Sequence, residues 1–232
     1  MSGSLIEVEF TPENIAIIHM KGEHNRFNPE FIDAFCAALD TVERNPTCRA
    51  LITTGEGRFF SNGLDLEYMM SLDGSGLSKW MTRIQGFLYR VVTFPMPTVA
   101  AINGHAFAGG GFLAMSHDFR VMRKGQGWIS WNEIFIKIRF SDFLMEIFRC
   151  KVPNGSAQLQ AVVLGARFTA EEAARYGIID VATAPETMMQ EAVTVAKKTL
   201  GRQPYDRETV TQFKADLYSS LKDKVAFRRP RL

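Results

Sequence analysis

The stretch that most limits what this chain can fold into is TVAAIN at 98–103, which runs into Gly104 and then three consecutive glycines at 109–111. A short continuous apolar run of this kind fits a strand buried on both faces, as in a parallel sheet covered by helices. Glycines just beyond it permit a close strand-to-helix turn. The surrounding elements agree. Residues 5–10 alternate apolar and polar, TPEN at 11–14 supplies a turn, and residues 14–20 read as a β-branched apolar strand. Asn28 reads as an N-cap with Pro29 at the first helical position. Phe31, Ile32, Phe35, Leu39 and Val42 then share one helical face that ends near Asn45-Pro46.

Further along, residues 50–54 form a short apolar strand closed by Gly55-Glu56-Gly57, and a loop from 59 to 65 leads into helical sequence. A long helix at about 77–93 stops before Pro95 and Pro97, a helix reaches about His117 after the glycine run, and 118–124 is strand-like. The remainder is mostly helical, near 141–149, 155–164, 170–176, 185–200 and 206–225, interrupted by a strand at 178–182. Strands alternating with helices predict an α/β layer fold. The expected division is a core over 1–184 and a helical region over 185–232 that packs on the core or in contacts between subunits.

At 232 residues the chain can bury a core without disulfides or structural metal. With 46% hydrophobic and 22% charged residues and a net charge of +2, it gives no case for a nucleic-acid or membrane partner. No apolar run approaches the ~20 residues that cross a bilayer. Cys36, Cys48 and Cys150 lie far apart without a CxxC pair, which fits reduced intracellular thiols. The N-terminal MSGSLIEVEF resembles neither a signal peptide nor a transit peptide.

The chemistry-bearing candidates are few. The run from Gly104 to Gly111 lacks both the Gly-Lys-Ser/Thr of a phosphate loop and the glycine a dinucleotide fingerprint needs at 106. It reads either as tight packing or as a helix opening that leaves backbone N–H groups bare to hold developing negative charge. The turn FFSNGLDL at 59–66 also sits between strand and helix, and two such turns could offer one N–H each to a single oxygen. His19, His24, His105 and His117 form no metal-ligand spacing, and no GxSxG is present. Glu133 stands alone in the aromatic, apolar stretch GWISWNEIFIKI. It is either a solvent-facing helix-start residue or a carboxylate whose pKa is raised by apolar surroundings, as a proton shuttle requires.

Three segments together, FFSNGLDL (59–66), PTVAAINGHAFAGGGFLAMSHDFRV (97–121) and GWISWNEI (127–134), resemble the crotonase (enoyl-CoA hydratase/isomerase) superfamily. The later FTAEEAARYGIID (168–180) is similar to the family's passage after the active site. The likeness runs from about 5 to 200 and is strongest to Δ3,Δ2-enoyl-CoA isomerases of the short peroxisomal type. It implies a spiral of ββα turns with a helical C-terminal region, and trimers or paired trimers. It implies that Leu64 and Gly110 supply the two oxyanion N–H groups, that Asn62, Gly63, Leu64, Asp65 and Leu66 line the acyl-CoA site, and that Glu133 is the base. Hydratases of the family carry a second glutamate where this chain has Leu113, so the resemblance favours isomerase over hydratase or thioesterase. A non-catalytic acyl-CoA- or RNA-binding relative is the remaining alternative. No cofactor is expected beyond the coenzyme A of the substrate.

Two segments depart from the family pattern: IKIRFSDF (136–143), and NRFN (25–28). The chain ends in Pro230-Arg231-Leu232, whose last two residues fit a peroxisomal import signal read by a receptor. The expected location is the peroxisome, and otherwise the cytoplasm.

Overall fold

A computed structural model describes residues 4–200 and 206–226. The first half comprises β1 (Ile6–Phe10), β2 (Ile15–Met20), β3 (Arg26–Phe27), α1 (Pro29–Arg44), β4 (Ala50–Gly55), β5 (Phe59–Ser61), β6 (Gly63–Leu64), α2 (Leu66–Met70) and α3 (Gly74–Val92). Next come β7 (Thr98–Ile102), β8 (His105–Phe107), α4 (Gly109–Ser116), β9 (Phe119–Arg123), β10 (Ile129–Ser130), a 3-10 turn (Glu133–Ile136) and α5 (Asp142–Lys151). The rest is α6 (Gly155–Gln158), a π turn (Leu159–Val163), β11 (Arg167–Phe168), α7 (Ala170–Arg175), β12 (Val181–Thr183), α8 (Met188–Thr199), α9 (Arg207–Leu217) and α10 (Ser219–Lys222).

Six strands form the main sheet in the order β1-β2-β4-β7-β9-β12, parallel throughout except for the β1–β2 hairpin. All five residues of β7 are buried, as expected for an apolar strand at the sheet's centre. Alternation along the strands divides the core in two. Ala16, Ile18, Met20 and Leu51 face α1, α3, α4 and α5, while Ile15, Ile17, Ala50, Ile52, Val99 and Val121 pack against Met188, Ala192 and Ala196 of α8.

A second, four-stranded sheet, β11-β10-β8-β5, stands beside the first, and β3 pairs with β6. Sequence alone reads 59–65 as a loop, whereas the chain there forms β5 and β6. Strands of two or three residues carry too little alternation to be read from sequence. The helix expected at 155–164 is α6 continued into the π turn.

Polar anchors hold the C-terminal helices. Arg207 donates to the carbonyls of Glu43 (2.8 Å), Asn45 and Cys48 (both 2.5 Å), at and beyond the end of α1. Lys214 pairs with Asp118 at 2.6 Å, and the same Asp118 oxygen accepts from the Thr98 N–H. His117, fully buried after α4, meets the Leu113 carbonyl through Nδ1 and the Thr53 hydroxyl through Nε2. Burial holds its pKa down at about 4, so it is a neutral structural residue.

Candidate active site

Three neighbouring strands of the small sheet run parallel: β5 beside β8 and β8 beside β10. Their C-terminal ends therefore open on one edge, where open α/β sheets hold their ligands. From β5 the chain continues into the 62–66 turn, from β8 into the start of α4, and from β10 into Glu133. Residues about seventy positions apart in sequence are thus delivered to one place.

The first turn is fixed by Ser61, whose buried hydroxyl donates to the Asn25 carbonyl at 2.7 Å and accepts from the Gly63 N–H at 3.1 Å. Asp65 N–H donates to the Phe27 carbonyl at 3.1 Å, so in the β3–β6 ladder the intervening Leu64 N–H points away from β3. Gly109 lies on that side: a Cβ built on it would stand 3.4 Å from the Leu64 nitrogen. Asp65 caps α2, its carboxylate accepting from the Tyr68 N–H at 3.2 Å. Asn62 donates its N–H to the His24 carbonyl, and Leu66 opens α2 with its side chain exposed.

The second feature is the N-terminus of α4. Side chains of Asn28, Asp73, Ser141 and Thr169 cap α1, α3, α5 and α7, but Ala108 before α4 supplies no side-chain cap. All eight residues of α4 are buried, so uncapped first-turn N–H groups call for another partner. Ala108 itself holds φ +52°, an unfavourable value for a residue with a Cβ, and it turns the chain sharply from β8 into α4. Glycine is obligatory on both sides of the contact. A Cβ on Gly110 would sit 2.0 Å from the Ser61 carbonyl oxygen, and Gly63, at φ +73°, would place one 2.5 Å from the Gly109 nitrogen.

Glu133 begins the 3-10 turn and is only 9% exposed. It is not solvent-facing. Burial pushes its carboxyl up to about 7, opposed by a hydrogen bond from its own backbone N–H. Oε2 has no hydrogen-bond partner, and no other carboxylate among the described residues holds a buried oxygen in that state. Leu113, one turn into α4, is completely buried among apolar neighbours. Among the described residues no three His, Cys, Asp or Glu side chains gather as a metal set.

Sequence reasoning misses Ser61, which shapes the 62–66 turn, and Trp131, whose indole lies against Gly111. Ser61 is visible in sequence only as a small residue before Asn62. Trp131 reads simply as a core aromatic.

A carboxylate with a pKa near neutrality, on the same sheet edge as two turns that carry backbone N–H groups, suits removing a proton next to a carbonyl while the oxygen gains charge. The fold is that of a crotonase-type enzyme. The chain belongs to the enoyl-CoA hydratase/isomerase family, which it matches over residues 11–229. It is 31% identical over 215 residues to enoyl-CoA delta isomerase 3 of Arabidopsis thaliana, covering 90% of each chain. It is 35% identical over 172 residues to the peroxisomal enoyl-CoA delta isomerase 1 of the same plant, covering 72% of this chain and 70% of that one. The apo structure of a Mycobacterium tuberculosis enoyl-CoA isomerase superposes with a TM-score of 0.84 at 28% identity, over 96% of this chain and 94% of the other.

Proposed function

We propose that the protein is a Δ3,Δ2-enoyl-CoA isomerase of fatty-acid β-oxidation, moving the double bond of a 3-enoyl-CoA to the 2-trans position. The observation that carries this reading is Glu133, one buried carboxylate with an unpartnered oxygen and a pKa of about 7. At neutral pH such a group can both accept and return a proton. Hydration uses two carboxylates to hold and activate water, and Leu113 stands where the resemblance places the second. A one-base transposition needs only Glu133.

In this mechanism ionised Glu133 removes a C2 proton from the substrate. The electron pair moves into the thioester, whose oxygen becomes enolate-like against the N–H groups of Leu64 and Gly110. The C3–C4 double bond then attacks the proton now on Glu133 through C4, and C2=C3 forms as the oxygen gives back its charge. No water, redox partner or cofactor enters the balance, and coenzyme A is part of the substrate. Asn62, Gly63, Asp65 and Leu66 shape the turn beside the thioester.

We also propose a homotrimer or a pair of trimers, and a peroxisomal location reached through an import receptor. The location rests on likeness to relatives named as peroxisomal. The expected signal at 230–232 lies outside the described residues. No helix among the described residues is long and apolar enough to cross a membrane.

The test is turnover of 3-enoyl-CoAs of several chain lengths with product identification, for the wild type and Glu133→Gln. Expected are 2-trans-enoyl-CoA from the wild type and loss of at least about 10²-fold in the variant. Full activity of Glu133→Gln would remove the carboxylate from the reaction. Water addition to 2-enoyl-CoA as fast as isomerisation would replace the isomerase reading with a hydratase.

A further inference from the structure

Two residues before Glu133, the indole of Trp131 is fully buried and meets Phe148 edge-on, with centroids 4.7 Å apart and planes at 89°. It also packs T-shaped on Phe112 at 6.0 Å. Its other contact is with Gly111 in the first turn of α4. A Cβ there would lie 2.8 Å from Cε2, 2.9 Å from Nε1 and 3.1 Å from Cζ2 of the indole. The indole N–H has no partner. A buried unpaired donor is a stability cost that phenylalanine or leucine would not carry, so shape is what the indole contributes here.

The backbone on either side of this contact is pinned. The Ser130 carbonyl accepts the Ala108 N–H at 2.9 Å, and Ser130 pairs with Phe107 across β8 and β10. One end of the indole contact therefore leads within two residues to Glu133, and the other is the neighbour of Gly110. We propose that Trp131 is a positioning residue, a spacer against Gly111 that sets how far the Glu133 carboxylate stands from the N–H groups at the start of α4. The inference rests on the isomerase reading for its kinetic consequence, but the spacing itself can be measured without substrate.

A smaller side chain at 131 lets the Glu133 turn settle toward α4, and a methyl at 111 pushes the indole, and the turn with it, outward. Displacements of about 1 Å at a reacting group cost on the order of 10²-fold in rate. Both changes alter how tightly protein encloses the carboxylate.

The experiment uses Trp131→Phe, Trp131→Leu, Gly111→Ala and the double variant Gly111→Ala/Trp131→Leu. Each is measured for thermal midpoint, for kcat and KM with 3-enoyl-CoA, and for Glu133 titration by carbon-13 NMR of labelled glutamate. Expected is a fall in kcat of about 10-fold for Trp131→Phe and about 10²-fold for Trp131→Leu and Gly111→Ala, with KM nearly unchanged. The Glu133 titration shifts in Trp131→Leu and Gly111→Ala. In the double variant the methyl added at position 111 fills vacated volume, and both kcat and the titration move back toward wild type. A merely structural role would lower the thermal midpoint and leave the titration where it was.

Folded Trp131→Phe and Gly111→Ala proteins with wild-type kcat and wild-type titration would overturn the proposal. So would a double variant no better than Gly111→Ala. If Trp131→Leu fails to fold, those two single variants decide. A wild type that does not isomerise 3-enoyl-CoA sinks the functional reading instead, and the NMR arm still decides the spacing.

Discussion

Glutamine at position 133 should stabilise the fold at alkaline pH and lose that advantage in acid, because the native carboxylate is ionised at the expense of its burial. The Glu133 carboxyl titrates at about 7 in the folded protein against an ordinary value of 4.5. Below 4.5 it is protonated in both the folded and unfolded chain, and the full stability is present. Between 4.5 and about 7 the unfolded chain releases the proton while the folded chain keeps it, so unfolding becomes easier with every step in pH. Above 7 both states are ionised, and the loss levels off at about 3 kcal/mol. Glutamine carries no such dependence. Relative to wild type, Glu133→Gln therefore gains about 3 kcal/mol between pH 4.5 and pH 8.5, or roughly 6–12 °C in thermal midpoint for a domain of this size. Any constant offset from the unpaired amide cancels when the two pH values are compared. Urea unfolding followed by circular dichroism at half-unit pH intervals measures the curve. A stability difference that is the same at pH 4.5 and pH 8.5 would show that Glu133 is not held near neutrality by burial.

In the proposed mechanism the same carboxylate is the base and must be ionised, so kcat/KM for 3-enoyl-CoA should fall tenfold per pH unit below about 7. A profile flat from pH 5 to 8 would contradict it. Gly110→Ala puts a Cβ 2.0 Å from the Ser61 carbonyl oxygen and should displace the Gly110 N–H proposed as an oxyanion donor. The expected loss in kcat is at least about 10², and turnover within threefold of wild type in a folded variant would argue against that donor. Asp118→Ala leaves the Lys214 ammonium buried without its partner at 2.6 Å and deprives the Thr98 N–H of its acceptor. The cost should be about 3–5 kcal/mol, with faster amide hydrogen exchange in α9, and unchanged exchange there would show that the ion pair does not dock the helix.

Much of the main layer was legible because its signals are local. Asn28-Pro29 does cap and open α1, with the Asn28 side chain accepting the Phe31 N–H, and the apolar run at 98–102 is the buried β7. The small sheet was not legible. Strands β5, β8, β10 and β11 are two or three residues long, and their pairing depends on partners dozens of positions away. The glycines at 63 and 110 could be seen, but not why they must be glycine. That reason is the backbone of Ser61 and Gly109 pressed against them.

Glu133 marks the same boundary from the chemical side. Sequence showed one carboxylate in an aromatic stretch and left open whether it faced solvent or a pocket. Its residue type and its apolar neighbours in the chain are local facts, fixed by the order of amino acids. Its pKa is not local, because it depends on what surrounds the carboxyl in three dimensions. The parallel ends of β5, β8 and β10 bring the 62–66 turn and the uncapped start of α4 to the edge where Glu133 lies buried. The sequence by itself therefore determined the longer strands, the caps and the candidate groups. Only the tertiary structure decided that Glu133 is desolvated, because burial of a side chain is set by how the whole chain packs and not by its neighbours in sequence.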